Sequence, residues 1–311
     1  MRLCTVSADG LEPFFGVELG KSILRVQAAL EVFGASPAEF AATASLHAYF
    51  ENLPKSEKIV RGILKRVAEK PKDLARVRVS DGFPPLIARE KVAYLPPIAR
   101  PGKFLCIGLN YKDHCEEQGV PLPKTPMVFN KFATSLLGHG GEIPLPLKRD
   151  KAMDYEGELG VVIGKRAKNV SKRAAMKHVA GYTIVNDVSA RTLQANEKQW
   201  ARAKGFDGSA PYGPAIVTAD EVPDPHALSL ITRVNGKVLQ NGNTNQLVFN
   251  IPHLISFISE MLTLEPGDII STGTPAGVGK WRKPEVYLKP GDTVEVEIER
   301  LGKLHNTCVE G

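Results

Sequence analysis

The sequence lacks the features that mark several common classes of protein. Its four cysteines are far apart and form no C-x-x-C pair, which argues against a disulfide framework and a cysteine zinc site. No apolar run approaches the ~18 residues that a membrane-spanning helix needs, and residues 1–10 lack the apolar core of a signal peptide. These absences predict a soluble, cytoplasmic protein with no membrane partner.

Several catalytic signatures are also missing. The chain has no G-x-S-x-G nucleophile elbow and no H-E-x-x-H zinc motif. Its glycine-rich segment 273–279 is followed by no Gly-Lys-Ser/Thr and lacks the G-x-G-x-x-G order, so it matches neither a Walker loop nor a dinucleotide fingerprint. Serine hydrolase, zinc protease and nucleotide-binding chemistry are therefore disfavoured.

The positive charge of the chain is concentrated in one segment. The net charge is +6, and residues 58–78 contain eight basic and two acidic residues, which equals the whole excess. The segment has no aromatic residue, although sites for single-stranded nucleic acid combine basic and aromatic side chains. Its apolar residues recur at helical spacing, which predicts an amphipathic helix with a solvated basic face. We therefore expect no nucleic-acid partner.

Composition and punctuation predict a folded chain of two unequal parts. Of the 311 residues, 43% are hydrophobic and 24% are charged, as in ordinary globular proteins. Prolines 84, 85, 96, 97 and 101 indicate a stiff connector. We predict a small N-terminal accessory domain over residues 1–98, with a hairpin at 14–24 and helices at 26–33 and 37–50. A larger catalytic domain is predicted over residues 99–311.

The larger part is rich in predicted strands. Short β-branched runs occur at 104–107, 127–129, 159–163, 182–185, 215–218, 230–234, 269–272 and 294–298. Asn235-Gly236 between two such runs predicts a two-residue hairpin turn. Helices are predicted only at 172–179 and 252–262, without regular β-α-β alternation. The pattern indicates a β-rich α+β fold.

Two glutamates at the start of a predicted strand are the first candidate site. Glu156 and Glu158 lie two residues apart before a wholly apolar run, so their carboxylates project from one face, roughly 6.5–7 Å apart. Two neighbouring anions repel each other unless a cation lies between them. An exposed strand end with two solvated glutamates would give the same spacing, which alone does not decide between the two interpretations.

A third carboxylate ends another apolar strand. Asp187 follows the run at 182–185 and could join the two glutamates in a site made only of oxygen ligands. Such a site suits Mg²⁺ or Mn²⁺ better than zinc. Asp187 taken alone is also a typical helix or turn cap.

Two further groups could handle protons or negative charge. His114 and Glu117 are three residues apart, so on one helical turn they can hydrogen-bond and form a general base. Lys204 lies close to Asp207 in a glycine-interrupted turn and could stabilise a developing anion. A surface helix with an incidental His–Glu contact would also explain the first of these patterns.

Together these segments resemble the fumarylacetoacetate hydrolase family. The similar segments include CIGLNYKDHCEE (106–117), DYEGELGVVIGK (154–165), VAGYTIVNDVSAR (179–191), KGFDGSAPYGPAIVT (204–218) and PGDIISTGTPAGVG (266–279). The resemblance extends from about residue 100 to the end of the chain, in the family's order. It implies a mixed β-sandwich roll, with a small N-terminal domain here, and a homodimer.

The resemblance also implies roles for individual residues. Mg²⁺ or Mn²⁺ would be held by Glu156, Glu158 and Asp187. The catalytic residues would be His114, Glu117 and Lys204. The substrate-binding residues would be Arg191, Gln194 and Thr274.

These residues lead us to expect an enzyme that acts on a small 2-oxo acid. The first hypothesis is metal-dependent hydrolysis of a C–C bond in an acylpyruvate-like substrate, in which His114 and Glu117 deprotonate water and Lys204 stabilises the anion. Decarboxylation or isomerisation of an oxaloacetate-like or hydroxydienoate substrate would use the same enolate. A non-catalytic ion- or nucleic-acid-binding protein is the alternative from another class.

Overall fold

The computed structural model of the protein describes residues 1–69, 74 and 77–311. Its strands are β1 Arg2–Ala8, β2 Leu11–Leu19, β3 Ser22–Arg25, β4 Leu86–Ala88, β5 Val92–Leu95, β6 Phe104–Gly108, β7 Met127–Lys131, β8 Leu136–Leu137, β9 Glu142–Leu145, β10 Met153–Asp154, β11 Gly157–Ile163, β12 Val179–Asn186, β13 Ser189–Ala190, β14 Ala210–Thr218, β15 Ser229–Val234, β16 Lys237–Asn243, β17 Ile269–Ser271, β18 Thr293–Ile298 and β19 Gly302–Glu310. Its helices are α1 Val26–Val32, α2 Pro37–Ala42, α3 Leu46–Glu51, α4 Lys55–Glu69, α5 Lys112–Gln118, α6 Lys172–Ala175, α7 Arg191–Asn196, α8 Ala201–Lys204 and α9 Ile251–Met261.

A large mixed sheet organises the described residues. Its main path runs β4-β3-β2-β1-β14-β12-β11-β17-β6-β7, and a second sheet has the order β16-β15-β18-β19-β9. Most pairs are antiparallel, whereas β17 and β6 run parallel. The predicted β-rich α+β fold is therefore confirmed.

The central strands of the large sheet are covered on both faces. In β11, Val161 packs in a cluster with residues of β18 and α9, whereas its neighbour Val162 packs in a cluster with residues of α1, α3 and α4. Because successive side chains of a strand point to opposite faces, a strand buried on both sides reads as a continuous apolar run. Burial of β11 on both faces therefore explains the continuous apolar run that follows Glu158.

The N-terminal strands extend the same sheet. β1 pairs with β14, with Leu3 opposite Ile216. β2 and β3 form the predicted hairpin, with Leu19 opposite Ser22. The domain boundary at residue 98 stays a prediction.

Two of the predicted helices differ from the observed ones. The helix predicted over 37–50 is two helices, α2 and α3, and Ser45 begins the second by accepting a hydrogen bond from the Ala48 amide. The helix predicted over 172–179 continues beyond α6 only as a 3-10 turn, Met176–His178. The predicted turn at Asn235-Gly236 joins β15 and β16 as expected.

The basic segment forms an amphipathic helix as far as Glu69. α4 buries Val60, Ile63 and Val67 and exposes its basic residues. Four charged residues of the segment, Lys70, Lys72, Asp73 and Arg76, lie outside the described residues. Among those described, no helix combines the length and apolar character needed to cross a bilayer.

Candidate metal centre and active site

The fold brings the three predicted carboxylates together. Strands β11 and β12 are antiparallel with Gly157 opposite Asn186, so the start of one lies beside the end of the other. Glu156 and Glu158 flank the first residue of β11, and Asp187 follows the last residue of β12. One oxygen from each carboxylate lies within 4.8 Å of the others. All three residues are buried, which excludes the interpretation as solvated glutamates at a strand end.

The glycine between the two glutamates lets the second sheet approach. A Cβ atom on Gly157 would lie 2.3 Å from Thr232 Oγ1 of β15, so a side chain does not fit there. The Gly157 amide donates to Gln240 Oε1 of β16 at 2.9 Å. The second sheet therefore fixes the backbone between Glu156 and Glu158.

Buried cations surround the carboxylates. Lys204 Nζ donates to Glu156 Oε2 at 2.8 Å and to Asp187 Oδ2 at 2.9 Å. Lys131 Nζ lies 2.6 Å from Asp187 Oδ1, and Arg191 Nη1 lies 2.6 Å from Glu156 Oε1. Lys204 thus bridges Glu156 and Asp187 rather than Glu156 and Glu158, and its partners do not include its sequence neighbour Asp207. Asp187 meets two lysines here, not the free amides that it would contact as a cap.

The surroundings shift the pKa values of the two glutamates in opposite directions. Burial disfavours the charged form of Glu156, but Lys204 and Arg191 outweigh it and lower its pKa to about 2. Burial, together with the charges of Asp187 and Glu156, raises the pKa of Glu158 to about 8. Without a further cation, Glu158 is therefore the carboxyl of the cluster that keeps its proton near neutral pH.

The composition of this carboxylate cluster fits a divalent ion. Hydrogen bonds from Ser271 Oγ and the Gly273 amide both end on Glu158 Oε2. Asp187 Oδ1 is buried and, among the described residues, meets only the ammonium group of Lys131, 2.6 Å away. An all-oxygen set of three carboxylates is typical of hard divalent cations. The three residues therefore form a group that could hold a metal ion.

The predicted proton-handling pair also forms. In α5, His114 Nδ1 lies 3.0 Å from Glu117 Oε2. Glu117 is held in turn, because its Oε1 accepts a hydrogen bond from the Gly277 amide at 2.8 Å. His114 is buried apart from 6% of its surface. The carboxylate is thus placed to orient the imidazole, as a general base requires.

One cavity joins these groups. It has a volume of about 280 Å³ and reaches the carboxylates of Glu156 and Glu158. Its wall includes five more of the predicted site residues: His114, Arg191, Gln194, Lys204 and Thr274. Asp187 and Glu117 lie behind this wall, where they contact Lys204 and His114 respectively.

The three predicted substrate-binding residues differ in whether their polar groups remain available to a substrate. Arg191 donates from Nε to Asp154 Oδ2 and from Nη1 to Gln194 Oε1, whereas its Nη2 is buried without a partner among the described residues. Thr274 Oγ1 donates to the Gly157 carbonyl oxygen at 2.9 Å. The family resemblance implies that Thr274 binds the substrate, but the proton of its hydroxyl group is already donated to the main chain. Arg191 is the freer donor of the two.

Sequence reasoning missed several residues of the site. Lys131 is the last residue of β7, and its position beside Asp187 depends on tertiary packing. Gln118 follows Glu117 in α5 and lines the cavity, as do Trp200 and Trp281. Asp154 was visible as an acid near Glu156, yet only the structure shows that its partner is Arg191.

A mixed β-rich fold that gathers three buried carboxylates and a His–Glu pair around one cavity has the features of an enzyme active site. Comparison with known proteins agrees with that class. The chain belongs to the fumarylacetoacetate hydrolase family: residues 103–309 match the family described as "Fumarylacetoacetate (FAA) hydrolase C-terminal". All nine predicted site residues fall inside the matched region.

Curated relatives point to one branch of the family. The mitochondrial oxaloacetate tautomerase FAHD2A of Homo sapiens is 52% identical over 227 residues, which cover 72% of each chain. The mitochondrial oxaloacetate tautomerase Fahd2a of Rattus norvegicus is 50% identical over 226 residues, again 72% of each chain. Both names state a mitochondrial location, which overturns the prediction of a cytoplasmic protein. That prediction rested on the absence of a secretory signal, which carries no information about other compartments.

Solved structures share the whole fold. The fumarylacetoacetate hydrolase of Exiguobacterium antarcticum is 33% identical with a TM-score of 0.79, and the match covers 100% of both chains. The 2-hydroxyhepta-2,4-diene-1,7-dioate isomerase of Mycobacterium marinum is 30% identical, with a TM-score of 0.71 over 100% of this chain and 98% of the other. The maleylpyruvate hydrolase of Sphingobium sp. SYK-6, in complex with manganese(II) and pyruvate, is 27% identical with a TM-score of 0.75 over 100% of both chains. The family thus includes hydrolases and isomerases.

Proposed function

We propose that this protein is a divalent-metal-dependent tautomerase that interconverts the keto and enol forms of an oxaloacetate-like 2-oxo acid. The observation that carries the proposal is the placement of His114, a group that can move protons, in the same cavity as the carboxylates. The names of the two curated relatives support this reaction. It therefore replaces C–C bond hydrolysis as the first hypothesis.

Glu156, Glu158 and Asp187 would hold the ion, which we propose to be Mg²⁺ or Mn²⁺. When bound, such an ion supplies Lewis-acid polarisation of the carbonyl group of a 2-oxo acid and makes the neighbouring C–H more acidic. The manganese in the structure of the maleylpyruvate hydrolase supports this choice. The buried oxygen donors described above are consistent with either ion.

The residues of the cavity wall supply the remaining chemistry. His114 would carry the proton between carbon 3 and the oxygen on carbon 2 of the substrate, with Glu117 orienting its ring. Lys204 would stabilise the negative charge that develops during the transfer. The buried, unpartnered Nη2 of Arg191 would bind the carboxylate on carbon 2.

Hydrolysis of an acylpyruvate-like substrate is the second candidate. The similarity to a maleylpyruvate hydrolase with pyruvate bound favours it, because pyruvate is what such a cleavage releases from an acylpyruvate. Decarboxylation of oxaloacetate would use the same groups without an attacking water. The homodimer implied by the family resemblance stays a prediction.

A panel of substrates tests the proposal. Oxaloacetate, acylpyruvates and hydroxydienoates would each be incubated with the protein and Mg²⁺ or Mn²⁺, and the products identified. We expect rapid loss of the ultraviolet absorbance of the enol form of oxaloacetate, without release of CO₂. Pyruvate formed from an acylpyruvate at a higher kcat/KM would instead establish the hydrolase. No turnover of any of these acids would leave the non-catalytic alternative.

A further inference from the structure

Gln118 and Glu117 each contact one of the two ring nitrogens of His114. The amide Nε2 of Gln118 lies 2.8 Å from His114 Nε2, whereas His114 Nδ1 faces Glu117 Oε2. An amide NH₂ group can only donate, and an ionised carboxylate can only accept. With the amide in this orientation, the lone pair of Nε2 accepts a hydrogen bond from Gln118, and the proton on Nδ1 points at Glu117.

This contact masks the base of the proposed reaction. An imidazole nitrogen has a single lone pair in the plane of the ring, so it accepts one good hydrogen bond at a time. Nδ1 is not an alternative, because it donates to Glu117, which the Gly277 amide fixes from behind. His114 can take a proton from a substrate only after Gln118 has released Nε2.

Gln118 and His114 both line the cavity, so a bound acid can reach the amide. A hydrogen bond from an amide to a carboxylate is roughly twice as strong as one to a neutral acceptor. A substrate carboxylate placed beside His114 would therefore draw the Gln118 amide away from the imidazole. In an oxaloacetate-like acid, the second carboxylate is attached to carbon 3, the carbon that loses the proton. The carboxylate that would draw Gln118 away from His114 and the C–H bond that His114 would deprotonate are thus both on carbon 3.

We propose that Gln118 determines the substrate class, by binding the carboxylate on carbon 3 of a 2-oxo dicarboxylic acid and thereby freeing His114. This inference rests on the proposed tautomerase function. In the step itself, the C3–H bond breaks and its proton passes to His114 Nε2. The electron pair forms the C2–C3 double bond, and His114 passes the proton on to the carbonyl oxygen on carbon 2, so no oxidant or second substrate is needed. Arg191 would hold the other carboxylate, so each end of the acid has its own donor.

The test compares a dicarboxylic with a monocarboxylic 2-oxo acid. Tautomerisation of oxaloacetate and of phenylpyruvate, which has no carboxylate on carbon 3, would be followed by ultraviolet absorbance with the wild-type protein and Gln118→Leu. We expect kcat/KM for oxaloacetate to fall about tenfold or more, as for a lost hydrogen bond to a charged group. For phenylpyruvate we expect no fall, or a rise of up to about fivefold, because the base is no longer masked.

Glu116→Leu is the matched control, since it places the same side chain on the exposed face of the same helix. It should leave both values of kcat/KM unchanged. An equal loss for both acids in Gln118→Leu would mean a purely structural role and would overturn the inference. If the wild-type protein turns over neither acid with Mg²⁺ or Mn²⁺, the proposed function fails instead.

A spectroscopic measurement separates the inference from activity. The ¹⁵N signal of His114 Nε2 reports whether this atom accepts a hydrogen bond. We expect malate, an unreactive dicarboxylic analogue, to shift this signal toward its position in Gln118→Leu, whereas lactate should not. A signal that responds equally to malate and lactate would contradict recognition of the second carboxylate.

Discussion

The molecule contains two Glu-x-Glu pairs that have the same spacing but opposite environments. Glu156 and Glu158 are buried beside Asp187, whereas Glu295 and Glu297 lie on the partly exposed face of β18. Glu295 and Glu297 share Arg233, with Nη1 2.7 Å from an oxygen of each. Arg233 thus bridges the exposed pair, whereas Lys204 joins Glu156 to Asp187 and not to Glu158, and only the buried pair adjoins the cavity.

The comparison shows that the residues next to the acids decide what the spacing means. The segment after Glu158 is continuously apolar, because β11 is covered on both faces. In β18, the glutamates alternate with buried Val294, Val296 and Ile298, as in a strand with one solvated face. Carboxylates that enter a fully covered strand have no water to solvate them, so neighbouring cations or a bound proton must compensate their charge.

The largest difference between the pairs should appear in activity. Glu156→Gln removes a charge from the candidate metal group, and we expect metal-dependent turnover of oxaloacetate to fall by at least about a hundredfold. Glu297→Gln makes the same chemical change at the exposed pair and should leave turnover unchanged. Initial rates over a range of Mn²⁺ concentrations measure both. Full activity of Glu156→Gln after chelation of metals would refute the metal centre.

The cations of the two pairs should differ in their effect on stability. Lys204→Met leaves Glu156 and Asp187 without their shared ammonium group in the interior, which should lower the free energy of unfolding by about 3–5 kcal/mol. Lys303, which contacts Glu295 and Glu297 in solvent, serves as the control. Urea denaturation of metal-free protein is the measurement. Equal urea midpoints for Lys204→Met and Lys303→Met would show that burial does not increase the contribution of these ion pairs to stability.

Glu158 of the buried pair and Glu297 of the exposed pair should also respond to pH with opposite signs. The raised pKa of Glu158 means that the native state holds its proton more tightly than the unfolded chain. Its contribution to stability is therefore complete below about pH 4.5 and is lost as the pH rises to about 8. Arg233 lowers the pKa of Glu297, so that contribution is present above about pH 4.5 and is lost as the pH falls.

Unfolding of metal-free protein at about pH 5 and about pH 7.5 measures this difference. Glu158→Gln should flatten the decrease in stability toward the higher pH, and saturating Mn²⁺ should do so in the unmodified protein by displacing the proton. A decrease that persists in Glu158→Gln would assign the proton to another group.

Local signals allowed much of the fold to be predicted. The Asn235-Gly236 turn and the apolar runs of β6, β11 and β12 are fixed by neighbouring residues, and they were found near their observed positions. The pairing of β1 with β14 could not be found in this way. It joins Leu3 to Ile216, and no local pattern specifies a partner so distant in the chain.

The candidate site shows the same division. The metal group was predictable because each acid ends or begins an apolar run, and family resemblance joined the segments. Lys131 was missed because a single lysine at the end of a predicted strand is usually exposed to solvent. Its burial beside Asp187 follows from the packing of β7 against the rest of the site, which the sequence does not encode locally.

The smallest expected effect is at the exposed pair. Arg233→Met removes the cation shared by Glu295 and Glu297, yet both glutamates keep contact with water and with Lys303. Because solvent screens such pairs, the free energy of unfolding should fall by less than about 1 kcal/mol. Raising the salt concentration should shrink even this loss, whereas the loss in Lys204→Met should persist, since salt screens buried charges poorly. If Arg233→Met destabilised the protein as much as Lys204→Met, burial would not be what separates the two pairs.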